Sequence, residues 1–235
     1  MIPDTHRHLF PALFPSLADL RWGYVNFGEM APFPIEGQPN PLLDPDHCAD
    51  WVQRIHTGLD IDCSYGGYME DRSRLWHGHY MKPGSTWHLG IDYNVPAGTP
   101  VCLPMDAIQV SGLTDFDQNG GWGGKIFVKT DKATIIFGHL ERLIVGGNPS
   151  PILRILDREA KPGDVVGYVA DSTKNGGWFP HLHVQFCAQD ALHQALTVDG
   201  YSHLYAGIDR DFPRPTLATS VKWKYVNNQY QGGEQ

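Results

Sequence analysis

The chain has 235 residues, 41% of them hydrophobic and 19% charged, and a formal net charge of −8. That composition suits a folded chain with a core of its own, long enough to need no disulfides. The negative balance disfavours nucleic acid, whose phosphates it repels, and no stretch holds the roughly 20 apolar residues that a membrane helix needs.

Residues 1–83 read as an N-terminal extension, irregular and partly helical. Phe14–Leu20 is expected as a short helix capped by Ser16. Asp46–Leu59 is a stronger helix, with Trp51, Ile55 and Leu59 at helical spacing. The Pro-rich stretch 28–45 between them reads as loop. From residue 84 the pattern changes to alternation, β-branched residues and frequent turns. Strands are expected at His88–Tyr93, Pro100–Leu103, Ala107–Asp115, Gly124–Lys129, Thr134–His139, Val165–Ala170 and His181–Cys187. Turns are marked at 96–98, 119–121, 130–132, 162–164 and 175–177 by Pro, Gly, Asn and Asp. Spacing this tight predicts an antiparallel all-β unit, sandwich or barrel, over residues 84–188. Residues 189–235 are expected as a C-terminal extension packed on that unit and ending in a polar tail.

The first residues, Met1-Ile-Pro-Asp-Thr-His-Arg-His, lack the basic segment and apolar run of a secretory signal, so a cytoplasmic location is expected. Cys48, Cys63, Cys102 and Cys187 form no CxxC pair. They are expected to be reduced and mostly buried.

Three fragments carry chemistry: His88-Leu-Gly-Ile-Asp92, Gly138-His139-Leu140 and His181-Leu-His183. Zinc takes N, O or S donors in a tetrahedron, and a catalytic site keeps one position open. Two histidines and a carboxylate satisfy that. On a strand, His181, His183 and Gln185 share one face, and Leu182, Val184 and Phe186 share the other, which is expected to face the core. Two imidazoles roughly 6.6 Å apart along one face can flank one site without both binding one ion. His88 and Asp92 share a strand face too, and Gly90 between them tolerates a bend or a close approach. Each fragment alone is weak. In a chain with 12 histidines a lone His-x-His pair arises by chance, and His77-Gly-His79, with no apolar alternation around it, reads as loop.

Together, in this order, the fragments resemble the lysostaphin/LytM-type peptidases (family M23). The flanks resemble that family as well: Pro96-Ala-Gly-Thr-Pro-Val101 its hairpin after the first motif, Gly120-Gly-Trp-Gly-Gly124 its Gly-rich turn, and Lys161–Val169 its turn before the last motif. The resemblance covers about residues 84–188. It implies a mainly β fold, an antiparallel sheet or sandwich with a groove of the M23 (duplicated hybrid motif) type. It also implies a single zinc ion held by His88, Asp92 and His183, with His139 and His181 catalytic rather than ligating. The chain departs from the family pattern at Glu141, where a Ser often stands, and in the longer approach Asp171–Pro180. That approach brings Trp178 and Phe179 close to the motif as candidate substrate-binding residues that would wall one end of the groove. The family often has a tyrosine before the first motif, and Tyr80 is the nearest candidate here.

The resemblance implies hydrolysis of peptide bonds, typically in peptidoglycan cross-links or Gly-rich peptides. There is no His-Glu-x-x-His motif to supply a glutamate base. His181 is then the best base and His139 the group that serves the oxyanion or the leaving nitrogen, with the division between them open. Three other readings compete. A cytoplasmic zinc amidase acting on a small amide or short peptide would use the same site. A non-catalytic M23-like binding module would not need the full set of five residues that the chain keeps. A lipoyl-type carrier or binding domain would fit the Pro-Gly-Asp turns, but no lysine of this chain sits at a suitable exposed hairpin tip. A peptide or small amide is the expected partner, with no nucleic acid and no membrane; nothing in the sequence sets an oligomeric state.

Overall fold

The computed structural model describes residues 10–78, 84–131, 133–141, 144–145, 148–149, 154–156, 160–188, 200–204, 208–215, 222–226 and 229–233. The strands in chain order are β1 (Trp22–Tyr24), β2 (Cys63–Gly66), β3 (Trp87–His88), β4 (Ile91–Asn94), β5 (Pro100–Cys102), β6 (Gln109–Thr114), β7 (Gly124–Lys129), β8 (Ala133–Leu140), β9 (Ile144–Val145), β10 (Asn148–Pro149), β11 (Arg154–Leu156), β12 (Val165–Tyr168), β13 (Leu182–Ala188), β14 (Tyr201–Ser202), β15 (Lys222–Val226) and β16 (Gln229–Gly233). The α-helices are α1 (Phe10–Leu13), α2 (Phe27–Met30), α3 (Pro45–Leu59) and α4 (Ile208–Asp211). Among the described residues no helix is long and apolar enough to cross a membrane.

The fold is mainly β. One sheet of eight strands runs in the order β1-β2-β4-β13-β8-β7-β6-β11. Its neighbours are antiparallel except β1 and β2, which run parallel with Trp22 opposite Cys63. Strands β1 and β2 lie in the stretch expected to be irregular. They are short and do not alternate, so nothing in their pattern marks them as strands. Helix α3 joins them. Asp44 caps it by accepting from the Asp46 and His47 N–H groups, Pro45 opens it, and Asp60 closes it in the left-handed region. Its buried stripe is Cys48, Val52 and His56, with Trp51 and Ile55 partly buried, while Leu59 is exposed. The expected apolar face therefore holds at Trp51 and Ile55 and fails at Leu59, where the helix turns away from the core. Residues 15–17 form a 3-10 turn with no side-chain cap, in place of the expected helix capped by Ser16.

Strand β13 is the axis of the molecule. Leu182, Val184 and Phe186 point into the main core with Ile91, Tyr93, Ile135 and Phe137, as the alternation predicts. The opposite face is buried as well. Leu89, Phe127, Ile136 and Cys187 are covered there by Ile208 and Phe212. One apolar face predicts a strand buried on that face alone, but the segment after residue 200 shields the polar face too, and His183 and Gln185 are no more than 2% exposed.

All four cysteines are unpaired and buried. Burial raises the Cys63 thiol to about 11 and the Cys187 thiol to about 12, so neither forms the reactive thiolate at neutral pH. Thiol titration of unreduced protein should therefore find four reactive groups after denaturation and slow reaction of all four before it. Fewer than four in denaturant would mean a disulfide that this packing does not contain.

Candidate metal centre

Asp92 and His183 stand directly opposite each other on β4 and β13. Side chains opposite one another on adjacent strands share a face, so the carboxylate and the imidazole meet by register alone. His88 arrives differently. The strand expected over His88–Tyr93 is broken at Leu89-Gly90: His88 belongs to β3, which pairs with β14, while β4 pairs with β2 and β13. The break turns His88 back over the site. It depends on Gly90, where a Cβ would lie 2.5 Å from His183 Nε2 and 2.7 Å from the Val184 carbonyl oxygen. Only glycine lets the His183 ring lie against this backbone.

His88 Nε2 lies 3.0 Å from His183 Nδ1, His183 Nδ1 lies 3.0 Å from Asp92 Oδ1, and His88 Nε2 lies 3.4 Å from Asp92 Oδ1. The edge of a tetrahedron with bonds of about 2.0–2.1 Å is roughly 3.3–3.4 Å. The three atoms have nearly that spacing. Among the described residues they are the group of His, Cys, Asp and Glu side chains able to hold a metal ion, and all three are buried. Gln185 Oε1 sits 3.1 Å from His183 Nε2 and can only accept there. The His183 ring thus donates its Nε2–H to Gln185, which lets Nδ1 turn a lone pair towards the carboxylate. At most one proton, on His88 Nε2, lies between three electron-pair donors, whereas one cation satisfies all three. Burial and the nearby Arg72 guanidinium lower the His88 imidazole to about 3, so it is neutral and ready to ligate. Burial alone would raise the Asp92 carboxyl, but the facing His88 and Arg72 outweigh it and hold Asp92 well below its usual range. The residues present fit a divalent cation.

Arg72 is the strongest fixed charge at the site and was not anticipated from sequence. It is fully buried, and its Nη1 donates to Asp92 Oδ2 at 2.6 Å and to the Tyr201 hydroxyl at 3.1 Å. Its Nε donates to Glu70 Oε2 at 3.2 Å. Burial would strip its charge, but Tyr201, Asp92 and Glu70 overcome that and keep it cationic. One Asp92 oxygen is thus occupied by Arg72, and the other is left for the two imidazoles.

His139 and His181 stand beside this centre. Their ring centroids are 4.3 Å apart, and His181 Nε2 is 4.0 Å from Asp92 Oδ1. His139 Nδ1 donates to the Asn175 carbonyl at 2.6 Å, and His181 Nδ1 donates to the Phe179 carbonyl at 2.8 Å. Burial lowers both imidazoles from their usual value, His139 strongly, so both rings are neutral at pH 7. His139 has a φ of +63°, the left-handed region, held by its N–H to the Trp122 carbonyl at 2.8 Å and its carbonyl to the Ala170 N–H at 2.9 Å. Strain of this kind is kept where the surroundings over-determine it.

The four histidines and Asp92 open onto a small cavity of about 40 Å³ walled by Trp76, Trp122, Trp178 and Tyr201. Trp122 stacks on His139 with centroids 5.9 Å apart, and Lys125 Nζ lies 3.7 Å from the Trp122 centroid. Sequence reading saw Trp122 only as part of a Gly-rich turn. Trp178 lines the cavity but is 8% exposed, and its Nε1 donates to the Leu42 carbonyl at 2.7 Å. It belongs to a second core with Phe27, Val52 and Leu75. Phe179 does not line the cavity: its ring stacks on His181 at 5.1 Å and packs against Phe27. Tyr80 and His79 lie outside the described residues. Tyr201, reached from the far end of the chain, is the tyrosine found beside His88, at 5.0 Å between ring centroids.

No family model matches the chain. The DD-carboxypeptidase/endopeptidase Mpg of Neisseria meningitidis serogroup B is 27% identical over 103 residues, 43% of this chain and 20% of that protein. Mpg of Neisseria gonorrhoeae is 29% identical over 104 residues, with the same coverage of 43% and 20%. The chain thus spans about a fifth of the length of the curated relatives it matches. The central segment of this chain resembles the M23 peptidases. Among solved structures, a mutant of the catalytic domain of the M23 protein EnpA from Enterococcus faecalis is 22% identical, with a TM-score of 0.34, covering 55% of this chain and 88% of that one. The lysostaphin catalytic domain from Staphylococcus simulans is 20% identical, with a TM-score of 0.33 and coverage of 60% and 85%. The M23-like segment carries the five histidine and aspartate positions, whereas Arg72, Trp76 and Tyr201 come from outside it.

Gly90→Ala should push the His183 ring out of line and weaken metal binding at least tenfold, read by competition with a chromogenic chelator; unchanged affinity would show that the close approach is not needed. Trp178→Ala should cost about 3–5 kcal/mol in chemical denaturation, as expected for a core tryptophan. A loss under about 1 kcal/mol would assign Trp178 to the cavity wall alone.

Proposed function

We propose that this chain is a zinc-dependent hydrolase of amide or peptide bonds, of the M23 type, with a peptidoglycan peptide as the first substrate to try. The observation that carries the reading is the meeting of His88 Nε2, Asp92 Oδ1 and His183 Nδ1 within 3.0–3.4 Å, beside two further neutral histidines. Two imidazoles and a carboxylate are a catalytic zinc donor set, three protein ligands with a fourth position open. Bound zinc supplies Lewis acidity towards an amide carbonyl and towards water.

The chain's own residues do the rest. His88, Asp92 and His183 hold the ion and are kept in line by Gln185 and Arg72. His139 and His181, each protonated at Nδ1, present Nε2 lone pairs. One accepts a proton from the attacking water, and the conjugate acid returns it to the leaving nitrogen. The hydrophobic walls exclude bulk water and strengthen every charge interaction inside.

A second reading, hydrolysis of a small amide or short peptide, is favoured by one feature. The cavity of about 40 Å³ has room for a few waters and is closed in by Trp76, Trp178 and Tyr201. Zinc-loaded protein assayed against peptidoglycan, oligoglycine and small amides separates the two readings, and no turnover of any of them would sink both.

Elemental analysis should find about one zinc per chain. His183→Ala should abolish zinc binding, and His181→Ala should keep it while lowering kcat about 10²–10⁴-fold. Equal metal loss in both variants would mean that the ligand set is wrongly assigned.

A further inference from the structure

Both non-ligating histidines are held from the same loop, and one buried side chain holds that loop. Asn175 is 1% exposed. Its Nδ2 donates to the Trp178 carbonyl at 2.9 Å and to the Phe179 carbonyl at 3.1 Å. Its Oδ1 accepts from the Gly177 N–H at 3.2 Å and the Trp178 N–H at 3.1 Å. The amide uses both donors and both lone pairs, the most an asparagine can make. The two carbonyls that receive histidine protons are those of Asn175 itself and of Phe179. The Phe179 oxygen therefore bridges the Asn175 amide and His181 Nδ1.

The loop is braced from behind. Gly176, at φ +97°, has no room for a Cβ, which would fall 1.9 Å from the Gly121 carbonyl oxygen. The Gly120 N–H donates to the Gly176 carbonyl at 2.8 Å. The loop thus seats on the turn that carries Trp122, whose carbonyl takes the His139 N–H. A carbonyl oxygen can only accept, so each ring must carry its proton on Nδ1, and each neutral ring then offers its lone pair at Nε2, the edge that can face the cavity. Without a fixed acceptor at Nδ1, either ring can take the other tautomer, which presents an N–H where a base is needed.

We propose that Asn175 is the positioning residue for both histidines. Through the Asn175 and Phe179 carbonyls, its side chain fixes the tautomer and aim of His139 and His181 together. Nothing in the sequence pattern marks it: Asn175-Gly-Gly177 reads as a turn and no more. The inference rests on the hydrolase reading above for its catalytic consequence, but not for its geometry.

The test uses zinc-loaded full chain, with Asn175→Ala and Asn175→Ser compared with the parent. Serine keeps an acceptor for the turn N–H groups and removes only the two donations, so it is read if alanine does not fold. Long-range 1H–15N spectra, assigned with His139→Ala and His181→Ala, report the tautomers. The parent should show both rings protonated at Nδ1, and the variants should show mixed tautomers. In the variants kcat should fall about a hundredfold, the cost of displacing a catalytic group by about 1 Å, with KM within threefold and one zinc retained. Nε2-protonated rings in the parent, unchanged tautomers in a folded variant, or kcat within threefold of the parent would each overturn the proposal. If the parent cleaves no amide at all, the function reading fails separately, and the tautomer comparison still decides the role of Asn175.

Discussion

A carboxylate that is 2% exposed sits at the middle of this molecule, and the arrangement around it follows from the need to keep it charged. Removing an ion from water costs several kcal/mol even after relaxation, and the cost is met only by good geometry on both oxygens. Asp92 gives one oxygen to Arg72 and the other to two imidazole nitrogens. Arg72 is itself fully desolvated, so it needs Glu70 and the Tyr201 hydroxyl as well. Arg72 brings one guanidinium against the two carboxylates of Asp92 and Glu70. A buried cluster with three converging donor atoms is better satisfied by a cation than by any tautomer of its own.

That electrostatic arrangement is possible because the sheet is covered on both faces. Strand β13 has neighbours on each side and core on each face, so His183 cannot swing out to water. The same enclosure depresses the imidazoles of His139 and His181, which favours neutral rings over cations. One burial thus acts in opposite senses on the two kinds of group: Asp92 needs compensating charge inside it, while His139 and His181 lose their own.

What could be read from the chain follows how local each signal is. Strand β13 was legible because its apolar residues alternate and its histidines fall on the opposite phase. Helix α3 was legible because Trp51 and Ile55 fall at helical spacing, although the expected start at Asp46 missed the opening Pro45 and the Asp44 cap. The five residues of the centre were legible because each sits in a fragment of two to five residues with distinctive chemistry. Arg72 carries no such mark: besides Glu70 its partners lie 20 and 129 residues away, and a lone arginine in Glu70-Asp-Arg-Ser73 looks like solvated surface. Strands β1 and β2 escaped because Trp22-Gly-Tyr24 is only three residues long at the sheet edge, and Cys63–Gly66, buried throughout between β1 and β4, does not alternate. Trp178 and Phe179 were correctly sensed as neighbours of His181, but distance along the chain cannot say whether a ring faces a cavity or a core. Phe179 turned inward to stack on His181 itself.

The residues before 84 are structurally part of the site. Strand β2 covers the edge of β4 that carries Asp92, and Arg72 supplies the charge that holds that carboxylate. Trp76 packs on Trp178 at 5.1 Å and on Tyr201 at 5.6 Å, tying the start of the chain, the approach to the last motif and the segment after residue 200 into one wall. The M23-like segment alone would leave β4 with an open edge, Asp92 with one oxygen unpaired, and the face bearing Leu89 and Ile136 without Ile208 and Phe212 over it. The four histidines and Asp92 therefore lie within residues 84–188, while Trp76 and Tyr201, from outside that range, complete the wall of the cavity they open onto. Trp76 shapes that cavity without contacting the donor atoms, whereas Tyr201 also takes a hydrogen bond from Arg72 and packs on His88, so it links the wall to the centre itself.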